Sequence, residues 1–257
     1  MGAPARYNDA VTAGKPEPNQ PDQARVAVWR TMLTEAICEV QKLVHARANY
    51  DRFAALVRSN PHVLNGESDF PRHVQNWFVH FATMAIRRIA EPNDSGDIVS
   101  LRSVLDEMVR AARAFTSAEI SDLFDAPDAP EYDDELRSFL ISNMWEAVAD
   151  PTSAQEQLNA RMLKDDRRML EAVSREIKNF VDKRVAHHTW SAKDYDLYYA
   201  EVSTCIDVLE AIALRYHATL IGYSMSTLVP TDQFNWYDIF RHGWLYDSGA
   251  DPRVLGP

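Results

Sequence analysis

The sequence predicts an all-α protein, an up-and-down helical bundle built on about four main helices, with a disordered N-terminal tail and an aromatic C-terminal arm. Two observations carry that prediction. Apolar residues recur three, four or seven positions apart over long stretches, the stripe of a helix laid on a core. Only 8 glycines occur in 257 residues and β-branched runs are few, so little of the chain is marked for tight turns or strands.

Residues 1–21 hold Pro4, Gly14, Pro16, Pro18 and Pro21 among polar residues, and they read as a tail outside the core. From Asp22 a long pattern runs through Val28, Trp29, Met32, Leu33, Ile37, Val40 and Val44 to Phe53, Leu56 and Val57. Asn60-Pro61 ends it, because the residue before a proline is pushed out of the helical region. Asn65-Gly66 marks a turn. A second helix opens near Asp69 with Pro71 in its first turn, where the missing N–H costs nothing. Its inner face is expected to be Val74, Trp77, Phe78, Phe81, Met84, Ala85 and Ile89, bordered by Arg87 and Arg88.

After Pro92 to Gly96, Ser100 is placed to cap a shorter helix with Leu101, Val104, Leu105, Met108 and Val109 as its face. Residues 116–134 are acidic and contain proline, which predicts a loop. A helix over about 134–148 carries Leu136, Phe139, Leu140 and Trp145. The next, roughly 153–186, shows Leu163, Leu170, Val173, Ile177 and Val181. Thr189 to Lys193 is a short connection, so the helix over about 194–224 is expected to run antiparallel to the one before it. Residues 22–226 therefore form the bundle. Residues 227–257, with Phe234, Trp236, Tyr237, Phe240, Trp244 and Tyr246, form the arm.

Bulk charge narrows the function. A net charge of -11 and a pI near 5.2 argue against a general phosphate-binding surface, since sequence-independent nucleic-acid affinity is carried by Lys and Arg. No apolar run approaches the ~20 residues that cross a bilayer, and the N-terminus is polar, unlike a signal peptide. Cys38 and Cys205 each sit in an apolar helical context and are expected to be buried free thiols. A reducing cytoplasm fits these features.

Common catalytic signatures are absent. The chain has no GxGxxG, no GxxxxGK[ST], no CxxC pair, no HExxH and no GxSxG. No metal or cofactor is expected. His73 and His80 are seven apart on one helix, a spacing that fits surface histidines better than a metal site.

What remains is the stretch from Lys178 to His188. Seven residues on from Ile177 stands Arg184, and four more lead to His188, while Lys183 and His187 form a second i,i+4 pair. Two readings stay open. The cations can simply complement the helix C-terminus, each by ~0.3–1 kcal/mol. Alternatively His187 or His188 serves as general base and acid beside phosphate-binding Lys183 and Arg184, parts suited to metal-independent RNA cleavage.

The segment Asp182-Lys183-Arg184-Val185-Ala186-His187 resembles the ending of the second core helix in the abortive-infection U-type branch of the HEPN superfamily. Ala85-Ile86-Arg87-Arg88-Ile89, then a polar break and Ile98-Val99-Ser100-Leu101-Arg102-Ser103-Val104-Leu105, is similar to a second motif of that branch. The likeness spans roughly residues 25–215 as an order of elements. It implies a helical bundle, often dimeric, whose active members are metal-independent endoribonucleases of toxin–antitoxin and phage-defence systems. On that basis His187 and His188 would be catalytic, Asp182 would orient, and Lys183, Arg184, Arg87 and Arg88 would contact RNA.

The departure from the pattern is specific. Aligning His187 and Asp182 with the family's histidine and polar residue puts Val181 where the active enzymes carry Arg. Sliding the frame to Lys183 and His188 restores the separation but replaces Arg by Lys, a point charge without the planar fork. Losing one charge-stabilising donor typically costs ~10²–10³ in rate. The expectation is thus a degenerate, non-catalytic module that binds RNA or a protein partner such as an antitoxin, as a homodimer and without a membrane. An active ribonuclease and an interaction bundle with no nucleic-acid role are the alternatives.

Overall fold

The computed structural model describes residues 22–59, 69–92, 99–125, 131–152, 157–185, 199–222 and 225–231, and among them every regular element is helical. In chain order these are α1 (Asp22–Ser59), α2 (Phe70–Ile89), α3 (Leu101–Arg110), a 3₁₀ turn (Ala112–Ala114), α4 (Ser117–Phe124), α5 (Asp134–Glu146), α6 (Ala160–Phe180) with a π-helical turn (Val181–Val185), and α7 (Tyr199–Ile221). One isolated bridge pairs Ala149 with Leu158.

α1 is 38 residues, about 57 Å long. It spans Asp22–Ser59, and the predicted Asn60-Pro61 break lies outside the described residues. Trp29, Leu33, Val40, Leu43 and Val44 along it are fully buried. α7 lies antiparallel against it: Arg30 near the start of α1 donates to the Leu220 carbonyl, while Arg47 further along meets the Ser203 carbonyl and Asp207. α2 is antiparallel to α1 as well, since Phe70 packs edge-on at Phe53, Phe78 stacks on Tyr50, and Arg88 reaches back to Glu39. α6 packs on α2, α3 and α7.

Capping obeys elementary chemistry. Ser100 and Ser103 satisfy each other's backbone N–H in a reciprocal box at the start of α3, as the sequence predicts for Ser100. Asn159 accepts from the Arg161 and Met162 amides to open α6. Leu163, Leu170, Ile177 and Val181 of the α6 stripe are all buried. A fully buried Leu or Ile stabilises the fold by ~1.5–3 kcal/mol.

Five expectations are corrected. The inner face of α2 is Phe78, Ala82, Thr83, Ile86 and Ile89, whereas Trp77, Phe81 and Met84 are exposed. Small Ala82 and Thr83 sit against the neighbouring helices, and the bulky aromatics take the wider outer side. The acidic loop at 116–134 contains helix α4, which Thr116 opens through a capping box with Glu119. α6 starts at Ala160 rather than 153, and α5 buries none of its residues, with Phe139 exposed. Cys205 is buried and free, as expected, but the free Cys38 is exposed on the outer side of α1. The tail (1–21), the connection 189–193 and nearly all of the aromatic arm lie outside the described residues, although Leu228 at its start is buried. Among the described residues no helix is long and apolar enough to cross a membrane.

Candidate functional site

The two segments singled out by the sequence meet. Arg87, in the last turn of α2, donates from Nε to Asp182 Oδ1 at 2.9 Å across 95 residues of sequence. Periodicity explains the placement. Ile86 and Ile89 bury the inner side of α2 and Val181 buries the end of the α6 stripe, so the neighbouring Arg87 and Asp182 face each other at the edge of that packing. Both remain accessible, with side-chain exposures of 34% and 51%.

Other carboxylates surround the arginine pair. Glu91 Oε2 lies 3.8 Å from Arg87, one helical turn on. Arg88 points to the opposite side and meets Glu39 of α1 at 3.3 Å. Glu39 also accepts from Lys42 at 2.6 Å, and that hydrogen bond raises the pKa of the Lys42 ammonium. Each arginine charge is therefore already offset by an acid of the same chain. An exposed pair of this kind contributes ~0.2–1 kcal/mol, so these acids offset the local positive field while raising only a small barrier to a competing anion.

Val181 is 1% exposed. Its backbone N–H donates to the Ile177 and Lys178 carbonyls, and the helix then widens into the π-helical turn. A π turn carries i→i+5 hydrogen bonds and so breaks the α-helical phase. The seven-residue step from Ile177 to Arg184 assumes an unbroken α-helix, and that phase does not persist through Val181–Val185. Lys183 is partly buried in this turn. The Arg184 side chain, His187 and His188 lie outside the described residues.

Two further constellations escaped the sequence reading. Asp166, 4% exposed, stands on the α6 stripe between Leu163 and Leu170, where Arg215 and Tyr216 of α7 both donate to it, Tyr216 Oη at 2.6 Å. Burial, then the Asp166 charge, pushes the Tyr216 phenol far up. A carboxylate at a stripe position was the available signal. The second is a groove of about 400 Å³ between α1 and α2, walled by Tyr50, Phe53, Phe70, Trp77 and Phe81. At its floor Tyr50 stacks on Phe78, with ring centroids 4.5 Å apart, and Tyr199 of α7 closes against both. Tyr199 donates to Asp51, and burial together with that bond raises its pKa.

Among the described residues no group of three or more His, Cys, Asp or Glu is placed to hold a metal ion. Comparison with protein-family models finds no matching family, and comparisons with curated proteins and with solved structures find no match.

Proposed function

We propose that this chain is a non-catalytic helical binding module of the HEPN, abortive-infection U-type kind, acting in prokaryotic stress or phage defence. The bundle of α1, α2, α6 and α7 provides the scaffold in this reading. The observation that carries it is Val181. At the position where the resemblance calls for a phosphate-binding guanidinium, the chain buries an aliphatic side chain at 1% exposure. Such a group stabilises the core and cannot stabilise a charged transition state.

Arg87 and Arg88 support the same reading. Catalysis or tight RNA binding needs cations whose field is open to phosphate. Here Asp182, Glu91 and Glu39 occupy them. A protein partner, an antitoxin-like chain in the setting of the resemblance, fits the acidic surface better than RNA. The proposal is tested by titrating the purified chain with a labelled RNA of mixed sequence at low and at near-physiological salt, since purely electrostatic binding falls steeply between roughly 50 mM and 200 mM. Weak, fully salt-suppressed retention without cleavage is the expected result. Retention that persists at the higher salt and drops in Arg184→Ala would point instead to dedicated RNA recognition.

A further inference from the structure

We draw no further inference here: the strongest candidate, the aromatic groove between α1 and α2 walled by Tyr50, Phe53, Phe70, Trp77 and Phe81, carries none because nothing in the structure shows what covers it.

Discussion

Arg87 and Asp182 join the end of α2 to the π-helical turn after α6 through a single 2.9 Å hydrogen bond. The contact ties together two segments that the sequence marked independently. Because both side chains are substantially exposed, its strength is that of a surface pair. Arg87→Ala and Asp182→Ala are each expected to change stability by less than ~1 kcal/mol, with a coupling of ~0.2–1 kcal/mol in the double-mutant cycle. Urea denaturation at two ionic strengths checks this, and the coupling should shrink at the higher one.

Val181 is the opposite case. Its burial at 1% means that a cation placed there is cut off from solvent. Under the proposed HEPN reading, Val181→Arg would introduce the guanidinium of the active enzymes, but it is predicted to destabilise the fold by ~3–5 kcal/mol rather than to create a ribonuclease. Thermal denaturation monitored by circular dichroism reads the loss. A variant that folds as well as the parent would show the site to be more open than its packing indicates.

Asp166 anchors α6 to α7. Removing the carboxylate leaves the Arg215 guanidinium and the buried Tyr216 hydroxyl without their shared acceptor. Asp166→Ala is expected to cost ~1–3 kcal/mol, chiefly from the buried Tyr216 hydroxyl left unpaired while the partly exposed Arg215 turns to solvent, and Tyr216→Phe about 1 kcal/mol because only one hydrogen bond is lost. Urea midpoints should therefore rank parent, Tyr216→Phe, then Asp166→Ala.

Much of the architecture was legible in the sequence, and the failures have physical causes. Helix ends are written by short-range chemistry, so the Ser100 cap of α3 could be placed from a few residues. The face of α2 could not. Two apolar stripes lie on that helix, and the larger aromatic one, Trp77 and Phe81, points outward, while small Ala82 sits where helices approach closely. Residue size misled where contact distance decides. α4 was hidden by its acidic composition, although Thr116 and Glu119 form a readable capping box. In the candidate site, the α6 stripe was legible as far as Val181, but the Arg87–Asp182 contact turns on the Ile86 face of α2, the phase that the large aromatics obscured. The π-helical turn has no sequence signature, so the helical phase could not be extrapolated past Val181.

Cys205 supplies the pH dependence. Burial pushes its thiol up to about 12 from an ordinary 9.0. Between those two values the unfolded chain has released a proton that the native chain retains. The stability this group contributes is therefore complete below the ordinary value of 9.0 and falls as pH rises toward about 12. Cys205→Ala should flatten that fall relative to the parent in urea titrations run just below and well above the ordinary thiol value. The exposed Cys38 should react with a thiol reagent in the native protein, and Cys205 only after unfolding.

Whether the chain holds a HEPN-like scaffold without its chemistry is tested most directly by RNA cleavage in the presence of EDTA. Total RNA incubated with the purified protein is predicted to remain as intact as with buffer, and equally so with His187→Ala and His188→Ala. Cleavage by the parent that disappears in either histidine variant would contradict the account.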